Sequence, residues 1–535
     1  MIKLNKKNII GTIILLSGLI SASIYIFIGQ RTEFNADFTD TLIWAFASSE
    51  SGSIVNPEYN YAYFLPFGGS LLMLPIVKVF GVTYFAHTLG MFVFLLIFTV
   101  SLLLFCLSMN FEYEYSSSIT GTLLILLLAT HETRMIFYGH IIHYSLAMLF
   151  SCIAFFLFNK INYDFSSHLD KRQKIYYSIL LLWLFLSCFN GESILMLFFF
   201  PFVGSIILYR MLDLKKAFSL KTDGYQFLLG LGMLLAGGAG YIIKKIFIKY
   251  DTNYEKFFAN ILPYDSWIFK HHPFLTNFVT MFTGNNDQLT PLMSVNGLLI
   301  LFEYLLAWAV ILIPFIALFS YNKFSKPLRI FHLFYLLLFA LTFFIYSISY
   351  PQVSNWRLGA LIGMALLFVM FYSVYLLKSG TLMRFAVVLT AVIIMGEFCD
   401  LYKLRSTLPS ENNTNEFDGI IDVLNENGLT YGYSTYWNGA CAIDILSDSK
   451  INVRPIEINE ENGTISPYLY NSKASWYEDQ QDTDRYFVII RNDNPLTIKA
   501  LTDNADNIIE YNDNTKIYLY DRNIFSNLEF VFRGN

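Results

Sequence analysis

The chain contains 535 residues, of which 55% are hydrophobic, 18% aromatic and only 14% charged. Soluble domains carry about 25% charged residues, so this composition excludes a water-soluble globular protein, and its apolarity excludes a disordered chain. It favours a polytopic membrane protein, and the net charge of −5 gives no reason to expect nucleic-acid binding.

Long apolar runs fill most of the chain before residue 400. Since about 20 helical residues cross a bilayer core, the runs predict about eleven transmembrane helices, a count good to about two. Their continuous apolarity argues against a membrane β-barrel, whose strands alternate. The predicted spans, of which the third and fifth are short, are 9–28, 84–107, 118–130, 141–158, 175–190, 193–209, 226–247, 297–320, 330–350, 358–377 and 381–399.

The charges divide the chain near Asp400. Residues 1–399 carry 25 Lys and Arg against 19 Asp and Glu, a net +6, whereas residues 400–535 carry 11 against 22, a net −11. We therefore predict a multi-span membrane domain over 1–399 and a soluble domain over 400–535.

Loop charges predict the orientation, because Lys and Arg concentrate in cytoplasmic loops. The N-terminus and alternate loops are basic, and the loops between them are acidic. This pattern places the N-terminus in the cytoplasm and the C-terminal domain outside, in a multi-pass protein of the plasma membrane. The basic residues are Lys3, Lys6, Lys7, Lys160, Lys171, Arg172, Lys174, Arg210, Lys215, Lys216, Lys221, Lys323, Lys326, Arg329, Lys378 and Arg384, and the acidic ones are Glu33, Asp37, Asp40, Glu50, Glu58, Glu132, Glu192, Asp265 and Asp287.

The C-terminal domain alternates helix-like and strand-like segments. Residues 416–427 have apolar residues at helical spacing, and Gly428 suits a helix C-terminus. The segments 486–490, 507–511 and 516–520 are typical of strands. A small α/β domain is expected.

The first outside loop, residues 29–83, holds the most informative acids. It contains Asn35-Ala-Asp37-Phe-Thr-Asp40-Thr-Leu-Ile-Trp44, in which Asp37 and Asp40 share one face if the segment is helical. An aromatic stretch with Pro and Gly follows at 56–70, and then an apolar segment ends in Phe80-Gly81.

This arrangement resembles the C-type (GT-C) membrane glycosyltransferases. The resemblance is specific over about residues 35–81 and covers the architecture of 1–399. It implies a many-span enzyme that takes a sugar from a polyprenyl-phosphate carrier at the outer membrane face. It also implies that a first-loop acid, Asp40 or else Asp37, serves as catalytic base or orients the acceptor. Asp40 is preferred because it heads the predicted helix.

The residue chemistry agrees with this role but leaves alternatives. A carboxylate can take the proton of an acceptor hydroxyl, and the departing phosphate needs positive charge from Arg, Lys or a metal. Asp37 and Asp40 can instead hold Mg²⁺ or Mn²⁺, the only cofactors indicated. They can also be solvated loop acids or cap the helix at Thr41.

A second polar cluster lies in the loop before residue 145. His140 and His143 are three apart on the incoming helix and can face one partner. Arg134 can bind a lipid-linked phosphate, and Glu132, His140 or His143 can bind acceptor or metal, Glu132 together with Asp37 or Asp40. The alternative is anchoring of His and Tyr side chains at the membrane interface.

Three further positions are candidates. Arg357, beside Trp356, resembles the late-loop Arg that several GT-C enzymes aim at the carrier phosphate, although Trp and Arg are also ordinary interface anchors. Glu192 lies in a tight outside turn, where it can also be a plain turn acid, and Lys244, Lys245 and Lys249 lie at the outside end of the seventh span. Glu303, inside a span, is expected to face the bundle or a water-filled cleft because a carboxylate in lipid is costly.

The sequence thus predicts a glycosyltransferase whose partners are the bilayer, a polyprenyl-phosphate-linked sugar and an extracytoplasmic acceptor. Two other classes remain open. One is a transporter or flippase of lipid-linked glycans, although charged midplane residues and internal repeats are not evident. The other is a membrane-anchored binding protein that works through its C-terminal domain.

Overall fold

A computed structural model of the chain describes residues 6–63, 65–161, 168–213, 220–247, 260–284, 289–349, 355–380, 382–459, 461, 463–481, 483–491, 501 and 504–525. Within these residues, nine helices are long and apolar enough to cross a membrane. They are Lys6–Glu33, Tyr84–Ser108, His143–Ile161, Glu192–Leu212, Gly224–Ile246, Val295–Lys323, Lys326–Ile348, Trp356–Ser379 and Met383–Thr407. The predicted class, a helical multi-pass membrane protein, is confirmed.

The difference from about eleven predicted spans comes from the two short ones. They fall on helices Tyr113–Leu126, which has 14 residues, and Lys171–Cys188, which has three cations in its first turn. Neither is among the nine. Lys3, Lys215, Lys216 and Asp287, which contribute to the predicted orientation, lie outside the described residues.

Shorter helices and helical turns complete the helical part. They are Ala36–Thr39, Asp40–Ser51, Gly69–Phe80, His131–Arg134, Met135–Gly139, Tyr264–Ser266, Ile268–Lys270, His271–Thr283, Asn355–Leu358, Asp418–Glu426, Tyr436–Asn438, Ala442–Leu446 and Ala474–Trp476. The residues form two compact units. The bundle unit comprises Met1–Tyr25, Leu95–Lys249 and Asn253–Ser406, and the sheet unit comprises Ile26–Phe94, Tyr250–Thr252 and Thr407–Asn535. The predicted boundary near residue 400 stays a prediction.

Small residues allow close contact between the helices Lys6–Ile24 and Tyr113–Leu126 of the bundle unit. A Cβ atom added at Gly18 would lie 2.3 Å from the carbonyl oxygen of Gly121, and one added at Gly11 would lie 2.4 Å from Ser117 Oγ. Helices approach this closely in membranes when small residues line the interface, because the gain is then van der Waals packing of backbone on backbone.

Buried aromatic side chains pack against one another in the bundle unit. The rings of Phe105, Phe155, Phe331 and Phe371 have neighbouring centroids 5.2 to 5.6 Å apart. Tilted and edge-to-face pairs of this kind add stability beyond the area that they bury. The high aromatic content of the chain therefore serves helix packing here.

The sheet unit contains a six-stranded mixed sheet. Its strands are β2 (Tyr431–Thr435), β3 (Asn452–Ile458), β4 (Ile465–Pro467), β6 (Tyr486–Arg491), β7 (Asn507–Asn512) and β8 (Thr515–Tyr520), in the order β4-β3-β2-β6-β8-β7. Strand β2 is parallel to both β3 and β6, and the outer pairs are antiparallel.

A separate two-stranded ladder joins the first loop to the C-terminal segment. Strand β1 (Tyr59–Asn60) pairs antiparallel with β5 (Ser472–Lys473). The first loop and the C-terminal domain therefore belong to one folded unit.

The sequence located part of this unit correctly. The predicted helix at 416–427 is observed as Asp418–Glu426, and the three predicted strands are observed as β6, β7 and β8. Strands β2, β3 and β4 were not predicted. Pro455 lies inside β3, and proline is a signal against a strand because it cannot donate to the ladder.

Candidate functional site

The first-loop acids occupy two consecutive helical turns of the sheet unit. The side chain of Asn35 accepts the backbone N–H of Asp37 at 3.0 Å and starts the turn Ala36–Thr39. The longer helix then begins at Asp40 and continues to Ser51. The Asp40 carboxyl therefore lies in the first turn of a helix, where the helix dipole favours negative charge.

Two side chains from the C-terminal segment donate to Asp40. The hydroxyl of Tyr436 lies 2.6 Å from Asp40 Oδ1, and Nδ2 of Asn471 lies 2.8 Å from the same oxygen. Asn471 is held in turn, because its Oδ1 accepts Trp44 Nε1–H at 2.8 Å and the backbone N–H of Ala62 at 3.1 Å. Its φ of 51° is a left-handed conformation that asparagine tolerates better than most residues.

These surroundings change the acidity of Asp40. Burial raises the pKa of Asp40 to about 8, the hydrogen bond from Tyr436 opposes the rise, and the nearby charge of Asp37 adds to it. Burial also raises the pKa of Tyr436 well above its usual range, so this hydroxyl remains a proton donor to Asp40. A carboxyl with a pKa of about 8 suits proton transfer to and from a reacting group.

Asp37 lies beside the same segment. The indole Nε1 of Trp437 lies 3.4 Å from Asp37 Oδ1, and the Trp437 side chain is 63% exposed. Tyr436 and Trp437 thus contact Asp40 and Asp37 respectively. Neither was predicted as a site residue, and nothing local in the sequence links them to acids about 400 positions away.

In the bundle unit, Arg134 ends a short helix and is 6% exposed. The helix His131–Arg134 starts with a reciprocal cap between Thr130 and Thr133, and the Arg134 guanidinium donates to the Leu128 carbonyl at 2.9 Å. The guanidinium also lies 5.6 Å from the centroid of the Tyr25 ring. Its charge is therefore held in a defined position by backbone and aromatic contacts.

The two histidines that follow are both buried, each 4% exposed. The prediction that they share one face of a helix is wrong, because His140 has extended backbone and the helix begins at His143. Burial lowers the pKa of His140 to about 3, so its imidazole is neutral at physiological pH. A neutral imidazole can hydrogen bond or ligate a metal, but it supplies no positive charge to a phosphate.

Arg357 lies in the helical turn Asn355–Leu358, and its charge acts on a second cation, Lys270. Its guanidinium is 5.2 Å from the centroid of the Trp356 ring, which packs edge-on against Tyr144 at 5.6 Å. Burial lowers the pKa of Lys270, and the charge of Arg357 lowers it further. Lys270 Nζ also donates to the carbonyl of Ser349 at 2.8 Å.

The elements that carry these residues touch one another within the bundle unit. The turn Asn355–Leu358 contacts both the helix His271–Thr283 and the short helix His131–Arg134. The structure therefore brings the Arg357 segment next to the segment of Glu132 and Arg134, which are more than 200 positions earlier in the sequence.

Two other predicted positions pair with lysines in the bundle unit. Glu192 lies 2.6 Å from Lys245 Nζ and 3.4 Å from Lys244 Nζ, which accounts for two lysines at that end of a span. Glu303 is 1% exposed and lies 2.6 Å from Lys403 Nζ. Glu303 is therefore buried within the bundle unit, which is one of the two positions expected for it.

The sequence predicts that Mg²⁺ or Mn²⁺ can bind Asp37 and Asp40, so metal ligands are expected in the part of the chain that the structure describes. No group of three or more His, Cys, Asp or Glu side chains there can hold a metal ion. One carboxylate oxygen of Asp40, Oδ1, accepts hydrogen bonds from Tyr436 and Asn471. The divalent cation stays a prediction, and no step of the proposed reaction passes through a cation.

Comparison with known proteins identifies the fold. No protein-family model matches the sequence, and no curated protein matches it by sequence. Two crystal structures of ArnT from Cupriavidus metallidurans, each covering 96% of this chain and 98% of that one, are similar to it. The complex with undecaprenyl phosphate has a TM-score of 0.50 at 9% identity, and the apo state has 0.51 at 10%.

A third similar structure is the oligosaccharyltransferase of Archaeoglobus fulgidus in complex with Zn and sulfate. It matches 89% of this chain and 67% of that one, with a TM-score of 0.47 and 14% identity. ArnT is a C-type glycosyltransferase, and the likeness to it extends over nearly the whole chain. The chain therefore has the GT-C fold, as the resemblance of its first loop predicts.

Proposed function

From a fold shared with C-type membrane glycosyltransferases, we propose that this protein transfers a sugar from a polyprenyl-phosphate carrier to an extracytoplasmic acceptor, with Asp40 as catalytic base. The observation that carries the proposal is the environment of Asp40. Its Oδ1 accepts hydrogen bonds from Tyr436 and Asn471, and burial raises its pKa to about 8. The ArnT complex with undecaprenyl phosphate supports a carrier of this class.

The proposed reaction is a displacement at the anomeric carbon of the donor sugar. Asp40 takes the proton of an acceptor hydroxyl while the acceptor oxygen bonds to the anomeric carbon. The bond from that carbon to the phosphate oxygen breaks, and polyprenyl phosphate leaves with the electron pair. The proton on Asp40 then passes to solvent, which restores the base.

The departing phosphate needs positive charge, and the bundle unit offers it near Arg357. Arg357 and Lys270 are close enough for one charge to lower the pKa of the other. Two cations held near each other repel, and a phosphate bound between them relieves that repulsion. Arg357 can bind two phosphate oxygens through its planar guanidinium, and Arg134 is a further candidate on the neighbouring short helix.

The direct test is release of polyprenyl phosphate by the purified full chain in lipid nanodiscs. The donors are undecaprenyl phosphate carrying glucose, galactose, mannose or arabinose, and an extract of cell-envelope glycans supplies acceptors. Mass spectrometry should detect undecaprenyl phosphate and a glycosylated product with at least one donor. Vesicle uptake of a lipid-linked sugar without product would instead favour a transporter.

The pH dependence tests the role of Asp40. Because the deprotonated carboxyl is the active form, the transfer rate should rise with pH through an inflection near 8. Asp37→Asn removes a charge that raises the pKa of Asp40, so its inflection should move to lower pH. Tyr436→Phe removes a donor that lowers this pKa, so its inflection should move to higher pH.

The control for these profiles is Glu58→Gln, which neutralises an exposed acid of the same loop. It should leave the inflection where it is. A rate that does not vary between pH 6 and 9, or shifts of both variants in the same direction, would contradict Asp40 as the base. Steady-state rates at saturating donor provide the measurement.

Replacing Arg357 tests phosphate binding separately. Loss of a hydrogen bond to a charged partner is worth about 1.5–3 kcal/mol, so Arg357→Ala should lower kcat/KM for the donor about 10- to 100-fold. Arg357→Lys keeps the charge but not the planar guanidinium and should recover part of this loss. Arg384→Ala, at an exposed arginine of the same unit, is the control. Unchanged donor kinetics in Arg357→Ala would remove Arg357 from the site.

A further inference from the structure

The order of strands in the sheet unit creates a crevice. The chain leaves β2 to form β3 on one side, and later returns to form β6 on the other side of β2, with all three strands parallel. At such a reversal, the connections after the two central strands leave in opposite directions. Ligands of open α/β sheets bind in the crevice that opens outside the carboxyl ends of those strands.

A cavity occupies this position. Its volume is about 390 Å³, and its lining residues are Asn438, Arg491, Asn512, Asp513, Asn514 and Thr515. Asn438 follows the end of β2, Arg491 is the last residue of β6, and the other four belong to the turn between β7 and β8 and its flanks. The topology and the cavity therefore identify the same place independently.

The lining is polar but carries little unbalanced charge. Arg491 lies 2.6 Å from Glu416, so its positive charge is compensated. The exposed carboxylate of Asp513 disfavours a phosphate or another anion. Among the residues described, no side-chain hydrogen bond engages the amides of Asn438 or Asn514.

An amide both donates and accepts hydrogen bonds, as does a hydroxyl group. A crevice lined by three asparagines and an aspartate therefore matches a neutral ligand with many hydroxyl groups. The cavity lining carries hydrogen-bonding groups of this kind on both sides, with Asn438 after β2 and Asn512 to Thr515 at the β7–β8 turn.

Three consecutive residues connect this crevice to the first-loop acids. Tyr436 donates to Asp40, Trp437 donates to Asp37, and Asn438 lines the cavity. Residues 436–438 form a single helical turn. A ligand in the crevice would therefore contact the same turn whose first residue, Tyr436, donates to Asp40.

We propose that this crevice binds the carbohydrate part of the acceptor and thereby presents its hydroxyl group toward Asp40. Sugar binding stands on the cavity and its chemistry alone. The presentation of a hydroxyl rests on the proposed function.

The test is sugar binding by the full chain in phosphatidylcholine nanodiscs, which avoid detergents with sugar head groups. The probes are the methyl β-glycosides of glucose, galactose, N-acetylglucosamine, lactose and chitobiose. Their binding is measured by saturation-transfer NMR and by tryptophan fluorescence. At least one should bind, and Asn438→Leu and Asp513→Ala should each weaken that binding at least tenfold. Asn425→Ala, at an exposed amide on the helix Asp418–Glu426, should bind as the unmodified protein does.

The outcomes separate this inference from the proposed function. If no probe binds, or if both crevice variants bind normally, the crevice is not a sugar site, whatever the activity of the enzyme. If the crevice variants lose binding while Asp40→Asn keeps both binding and full transfer, the sugar site stands and the proposed base is wrong. In the transfer assay, Asn438→Leu should raise KM for the acceptor and leave kcat unchanged, because it acts on binding.

Discussion

Asp40→Asn is expected to reduce sugar transfer about 10²- to 10⁴-fold, the range that general acid–base catalysis contributes. Asparagine has nearly the same size and can still accept a hydrogen bond from Tyr436, so the helix start and its contacts should persist. What it cannot do is take a proton from the acceptor. The loss should therefore appear in kcat, with donor and acceptor KM little changed.

Glu58→Gln serves again as the matched control, since it removes one carboxylate from the same loop at an exposed position. Asp37→Asn provides a second comparison and should retain transfer at a pH below the inflection of the unmodified enzyme. Full activity of Asp40→Asn, and of the double variant with Asp37→Asn, would remove both acids from the mechanism. Equal membrane abundance and elution volume of all variants would exclude misfolding as the cause.

Arg454→Met is expected to destabilise the sheet unit by about 3–5 kcal/mol, the usual cost of breaking a buried ion pair. Arg454 Nη1 lies 2.6 Å from Asp444 Oδ2 and its Nη2 lies 2.7 Å from Asn452 Oδ1. The guanidinium carbon is also 4.2 Å from the centroid of the Trp476 ring. Asp444 and Arg454 are 2% and 8% exposed, so removal of the arginine leaves a carboxylate without its cation in the interior.

The double variant Arg454→Met with Asp444→Asn separates loss of the pair from exposure of one charge. Asparagine keeps the oxygen that accepts the backbone N–H of Val453, so the double variant should recover much of the stability lost in the single one. Lys516→Met, in the exposed pair with Glu510 at 3.7 Å, should change stability by less than about 1 kcal/mol. Thermal unfolding of the full chain, monitored by intrinsic fluorescence, ranks the stabilities of the three variants. A single variant as stable as Lys516→Met would contradict a structural role for the buried pair.

The membrane architecture could be predicted because its signals are local. Continuous apolar runs of about 20 residues identify a spanning helix without reference to the rest of the chain. The uncertain cases were helices Tyr113–Leu126 and Lys171–Cys188, which are short or begin with cations. Strands β6, β7 and β8 were also predictable, since their apolar, β-branched and aromatic residues are bounded by turn residues. Strand β3 was not predicted, because it contains Pro455 and proline is a signal against a strand.

The spacing of His140 and His143 in the sequence did not predict their arrangement correctly. A separation of three places His140 and His143 on one helix face only if the helix includes both. The backbone is extended at His140, after the turn Met135–Gly139, so the condition fails. No feature of the local sequence announces this change of backbone conformation.

The sequence by itself determined the class of protein, the helical spans and the position of Asp37 and Asp40 in the loop after the first span. Tertiary structure alone decided what surrounds Asp40, because Tyr436 and Asn471 are 396 and 431 positions away in the chain. The acidity of a carboxyl depends on the water that folding removes and on the donors and charges that folding brings near. Folding therefore gives Asp40 surroundings that its place in the sequence does not reveal, and burial there raises its pKa to about 8.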